Sequence, residues 1–323
     1  MRLHSDMGSM QLLHMLEEAL RKERSYWKPN TGRSQQKNET EVVQEQRDEM
    51  VRWLTKLSDK FHFHPETFAL GVSLLDRFLQ CVKARPKYAQ CIAVSCLYLA
   101  AKTLEEDEVI PGSLDYVVDS QSGCTVAEVL RMERIILDKL HWDLLTVTAI
   151  DFLHIFHALL LTKHPYLLNN LMQMTPSRQL SLMTQKLKHC LAQHQLLAFK
   201  PSTLALALVS LELELFATNN WLPVTVRMQQ LVKVDNVHLI RCREIISRHL
   251  ASSRHINTVY IYSTLKDKAT KRKVDQLEDE EDVSESIKRL YNEEGENSLG
   301  HCGSEFRQEL DENSSPLQAV SVK

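Results

Sequence analysis

Three charged residues stand where apolar side chains are expected: Lys102, Glu133 and Arg47. Residues 91–107 read CIAVSCLYLAAKTLEED, a helix-length apolar run that stops at Lys102 and gives way to acids. In the segment that follows, Thr125 and Glu128 form a T-x-x-E capping box. Its apolar stripe runs through Val126, Val129, Leu130, Ile136, Leu137 and Leu140, and Glu133 fills the gap in it. Arg47 likewise falls inside a stripe of Val43, Met50, Val51, Leu54, Leu57 and Phe61. A buried guanidinium needs a bidentate acid, and Asp76, near the end of FALGVSLLDRFL, is the expected mate in a structural ion pair that locks two helices in register. Glu133 has two readings: a local ion pair with Arg134 or Lys139, or a contact with a partner that supplies donors. Lys102 also has two: a cation favoured at a helix C-terminus by about 0.3–1 kcal/mol, or a donor held out towards another protein.

Other constellations say less. Asp151, His154 and His157 lie at i, i+3 and i+6 on one helix, but no HExxH or cysteine pair accompanies them, so no metal is expected. The chain has no P-loop, dinucleotide fingerprint or GxSxG elbow, so neither an enzyme nor a cofactor is expected. Lys271, Arg272 and Lys273 read either as a nuclear-import signal or as a solvated linker. Seven scattered cysteines suit reduced thiols, and hence an intracellular protein of nucleus and cytoplasm.

The elements that must carry these residues are helices. Only 8 glycines occur in 323 residues, no hairpin turn is evident, and Pro65, Pro86, Pro111, Pro176, Pro201 and Pro223 punctuate helix-patterned segments. Helices are expected near 9–27, 42–59, 65–81, 87–103, 125–139, 148–162, 177–197, 201–217, 224–234 and 236–252. The longest run without a formal charge is 14 residues, between Lys87 and Lys102, too short for a bilayer. Residues 274–323 hold 14 Asp/Glu against 4 Lys/Arg, which leaves the first 273 residues at +7. That charge is spread rather than striped, so direct nucleic-acid binding is not expected. The polar, acidic tail from about residue 256 is expected to be disordered.

QRDEMVRWL (46–54), LLDRFL (74–79), LAAKTLEED (99–107), LRMERIILDKLHWDL (130–144) and TAIDFLHIFH (148–157) together resemble the cyclin box, in that family's order and spacing. The likeness is greatest to the branch of G- and I-type cyclins and extends to the tail. It implies an all-α chain with an N-terminal helix and linker (1–40) and two tandem five-helix-type cyclin boxes (41–162 and 163–255), before the tail (256–323). It also implies a heterodimer with a cyclin-dependent kinase of non-mitotic or atypical kind, whose αC helix is gripped by Lys102 and Glu133. By the same resemblance Arg47 and Asp76 are the structural pair. The family's substrate-docking patch maps to Gln46, Glu49, Met50, Trp53 and Gln90; Gln46 and Glu49 replace apolar walls, and Lys56 stands where an acid would meet an arginine motif, so docking there is expected to be weak. The alternative is a cyclin-fold scaffold that binds partners without activating a kinase.

Overall fold

Prolines start three of the helices, where a missing N–H and a fixed φ cost least. The computed structural model describes residues 2–27, 42–168, 174–216 and 221–252, all within one unit spanning Met1–Leu265. The expected tail and Lys271–Lys273 lie outside the described residues. Among those described the secondary structure is helical: α1 (Arg2–Tyr26), α2 (Gln44–Lys60), α3 (Pro65–Cys81), α4 (Ala89–Leu104), α5 (Ser113–Ser120), α6 (Val126–Lys139), α7 (Ala149–Lys163), α8 (Pro176–Leu191), α9 (Pro201–Phe216), α10 (Trp221–Val232) and α11 (Asn236–Ser252). Three expectations change, the first being that α1 starts at Arg2 rather than near residue 9. The short α5 has only two turns and too few apolar positions to show a helical period, so it escapes a pattern search. The expected helix 177–197 ends at Leu191, and a separate 3-10 turn, His194–Ala198, follows an extended Gln193.

Two apolar cores fill the unit. The first is built from α2 to α6, with Leu54, Phe68, Leu74, Leu97 and Ile136 at its centre. The second is built mainly from α1 and α7 to α11. Helix α7, placed with the first box by the sequence reading, packs in this second core, so the cores part in the α6–α7 connection rather than near residue 162. The reason is that α7 is apolar on nearly every side. Ile150, Phe152, Leu153, Ile155, Phe156, Leu159 and Leu160 are all buried, as suits a central helix rather than a peripheral one. Asp151, His154 and His157 go separate ways: Asp151 caps the helix start at Thr148, His154 faces Glu66 at 3.3 Å, and His157 bonds Gln179 at 3.1 Å.

Gly71 sets the spacing of α3 against α4. A Cβ there would stand 3.2 Å from the Leu97 Cα, so a side chain would require α4 to give by a few tenths of an ångström. Helix α1 is tied to the second core by Leu16 and Ala19 and by one buried carboxylate. Glu23 accepts the Ser202 N–H at 2.7 Å and the Ser202 hydroxyl at 2.8 Å, capping the first turn of α9 from another helix. Replacing Glu23 with alanine is expected to lower stability by about 1–2 kcal/mol, the usual loss of a helix cap, read from the urea unfolding midpoint.

Candidate partner-docking site

Helices α4 and α6 run side by side in the same direction, with the Ser95 hydroxyl 3.4 Å from the Val129 carbonyl and Lys102 beside Glu133 farther along. The Lys102 ammonium donates to both Glu133 oxygens, at 2.8 and 2.9 Å. It also lies 4.2 Å from the centroid of the Tyr98 ring, one turn earlier on α4. Tyr98 is itself fixed: its ring stacks on Tyr116 at 4.3 Å, and its hydroxyl donates to the Pro111 carbonyl at 3.1 Å. Sequence reading missed Tyr98, although a tyrosine four residues before a helix-ending lysine is the signal that marks it.

Of the readings open for Glu133, neither Arg134 nor Lys139 is its partner; Lys102 is. The pair is not laid out flat on the surface. Glu133 is only 5% exposed, whereas the Lys102 side chain is 38% exposed. Burial pushes the Glu133 carboxyl above the usual glutamate range, against the pull of Lys102. Lys102 directs N–H groups at two oxygens and keeps a third, and the carboxylate keeps unused lone pairs. The arrangement can offer one donor outward and accept an incoming N–H without breaking.

Three residues past Lys102, Glu105 folds back to the start of α3. It accepts the His64 N–H at 2.7 Å and the Thr67 hydroxyl at 2.6 Å, and contacts the His64 ring nitrogen at 2.7 Å. The end of α4 is thereby latched to the start of α3. Hydrogen bonding to Glu105, then its charge, holds His64 above the ordinary histidine value of 6.5. Burial pushes Glu105 up, but the bonds from Thr67 and His64 outweigh it and hold the carboxyl below 4.5. The histidine's stabilisation is complete below 6.5 and is lost as pH rises through its raised folded value. That of the carboxylate is present above 4.5 and is lost as pH falls through its lowered one. Amide protection at the start of α3 is therefore expected to be highest between about pH 4.5 and 6.5, and Glu105→Gln to flatten that profile, as hydrogen exchange would show.

The structural pair is where the sequence puts it. Arg47 grips Asp76 with two parallel bonds, each 2.8 Å, between α2 and α3. It does more than set a register, because its other arm donates to the Leu191 carbonyl at 2.8 Å, at the end of α8. The neighbouring Asp48 meets the His194 ring at 2.6 Å. One buried arginine thus joins the first core to the helices of the second.

The docking-patch residues lie on α2 and at the start of α4. Met50 is buried, Gln46 and Trp53 are half-buried, and Glu49, Lys56 and Gln90 are exposed. The Gln46 side chain accepts the Val43 N–H at 3.3 Å, an end-of-helix role. Exposed apolar side chains instead accompany the Lys102–Glu133 pair along the chain. Leu104 and Val109 follow the lysine, Leu130 and Ile135 flank the glutamate, and Trp142 and Leu145 follow α6. Exposed apolar residues close in sequence to a half-buried charge pair are of the kind that protein partners cover.

Comparison with known proteins gives the family. Residues 11–145 match the family described as "Cyclin, N-terminal domain". The chain is 37% identical to human Cyclin-I2 over 250 residues, which are 77% of this chain and 66% of that protein. It is 33% identical to Cyclin-G1 of Sus scrofa over 246 residues, 75% of this chain and 81% of the relative. Among solved structures, a viral cyclin from herpesvirus saimiri superposes with a TM-score of 0.53 at 21% identity, covering 66% of this chain and 87% of that one.

Proposed function

The chain belongs to the cyclin family, with sequence similarity to I- and G-type members, and we propose that it is the activating, non-catalytic subunit of a cyclin-dependent serine/threonine kinase. The observation that carries this reading is the Lys102–Glu133 pair, brought together from α4 and α6 and bordered in sequence by exposed apolar residues.

A protein kinase needs its αC glutamate paired with the β3 lysine before ATP is positioned. A subunit that binds the αC-inward conformation better than the outward one shifts the population by that difference in affinity. Moving an equilibrium from 1:99 to 99:1 takes about 5.5 kcal/mol of differential binding. In this reading Lys102 donates to a main-chain carbonyl at the end of αC, Glu133 receives a main-chain N–H, and the apolar residues cover αC's outer face. The chain supplies no group to phosphoryl transfer itself.

The partner we propose is a non-mitotic or atypical kinase, met in the nucleus and cytoplasm. The changed patch supports that choice: with Glu49 exposed and Gln46 occupied at the helix end, arginine-motif substrates lose their apolar seat on α2. A second reading, a cyclin-fold scaffold, is favoured by the closure of Lys102 on Glu133, which satisfies both charges without a partner.

A panel of epitope-tagged cyclin-dependent kinases co-expressed with the chain separates the two. The proposal expects at least one kinase to co-purify and gain activity towards a protein substrate. Recovery of a kinase with no gain in activity supports the scaffold, and recovery of none overturns the kinase reading.

A further inference from the structure

A recess of about 140 Å³ lies away from the docking site, where the end of α1, the outer side of α3, the start of α7 and the turn before α9 meet. Its walls are largely apolar: Val72, Leu196 and Leu204 are buried, and Tyr26 and Phe199 close the sides. Arg77 borders it and is anomalous. Its Nη1 is buried without any hydrogen-bond partner, and its Nη2 stands 3.8 Å from the nearest Asp143 oxygen, beyond hydrogen-bond reach. The Tyr26 ring, 5.8 Å from the guanidinium carbon, offers a face but no acceptor. Buried donors left unmade are rare, and an arginine fork is shaped to receive a carboxylate in two parallel bonds.

The acids around the recess are otherwise engaged. Both oxygens of Asp76 accept from Arg47, and both of Glu23 accept from Ser202. Asp143, 42% exposed, is free to swing into solvent. The unused donors of Arg77 are the polar feature left for a ligand, beside walls that favour an apolar body. A cavity of this size holds about one benzene-sized ring.

We propose that this recess is a binding site for a small carboxylate with an aromatic or branched apolar body, held by Arg77 through a modest turn of its guanidinium. The site is independent of the docking function.

The test uses the full chain, with benzoate as the carboxylate and toluene as its uncharged counterpart, followed by calorimetric titration and thermal unfolding. Wild-type protein is expected to bind benzoate saturably, with a concentration-dependent rise in Tm. Arg77→Gln should weaken benzoate by at least tenfold while toluene binding is retained. Ser73→Leu, which fills the recess from α3 one turn before Arg77 while keeping the guanidinium, should abolish both. Absence of saturable benzoate binding to the wild type overturns the proposal, and so does equal benzoate affinity in Arg77→Gln or Ser73→Leu protein.

Discussion

Arg47→Ala is expected to destabilise the chain by about 3–5 kcal/mol, the characteristic loss when one partner of a buried ion pair is removed. The side chain is 5% exposed, and its removal strands three acceptors: the Asp76 carboxylate, an oxygen of Asp48 and the Leu191 carbonyl. Burial works against the arginine's charge, yet Asp76 and Asp48 hold its pKa above the ordinary value, so the guanidinium stays charged. Because the network joins α2, α3 and α8, the damage should reach the contact between the two cores. Urea unfolding of wild type, Arg47→Ala and the double variant Arg47→Met with Asp76→Leu decides the matter. The double variant removes both charges and is expected to recover most of the loss. A single-variant loss below 1 kcal/mol would show that solvent already reaches the pair.

The second large effect concerns binding. Lys102→Ala is expected to weaken kinase association by at least about thirtyfold, since truncating one member of a hydrogen-bonded interfacial charge pair commonly costs about 2–5 kcal/mol. Its effect on folding should be much smaller, because more than a third of the lysine is exposed and a deserted Glu133 can take up a proton. The response to pH carries an unusual sign. Burial raises the folded pKa of Glu133, so its charged form costs stability above the ordinary glutamate range, and that cost disappears as pH falls through the raised value. The proposed docking mode uses the charged form. Over one pH interval, acidification should therefore ease folding at this site while weakening kinase binding, and Glu133→Gln should remove both trends. Calorimetric binding and urea unfolding measured across that interval provide the check.

The charges were legible because each broke a pattern. Arg47 and Glu133 interrupt apolar stripes, and Asp76 was the acid at the right distance along the chain; the structure joins Arg47 to Asp76 and Glu133 to Lys102. What the pattern could not give was depth. Periodicity tells that position 133 faces the core side of α6 but not that Lys102 lies across it. Glu105 escaped notice because a glutamate after a helix end among other acids reads as solvated, and only the fold brings His64 and Thr67 to it. The partners of α7 were not legible for a related reason: an all-round apolar helix announces burial without saying in which core. Apolar patterning and prolines supplied the order of helices, whereas the reach of Arg47 to α8 emerges only from the fold.

Exchanging the clamp charges is the most direct test of the account. Lys102→Glu combined with Glu133→Lys preserves an ion pair between α4 and α6 but presents the wrong donor and acceptor to a partner's main chain. If the pair serves docking, the exchanged protein keeps the circular dichroism and unfolding midpoint of the wild type and loses measurable affinity for the kinase recovered with it. Equal affinity of the two proteins for that kinase would show that the charges only hold the two helices together, and the docking account would fall.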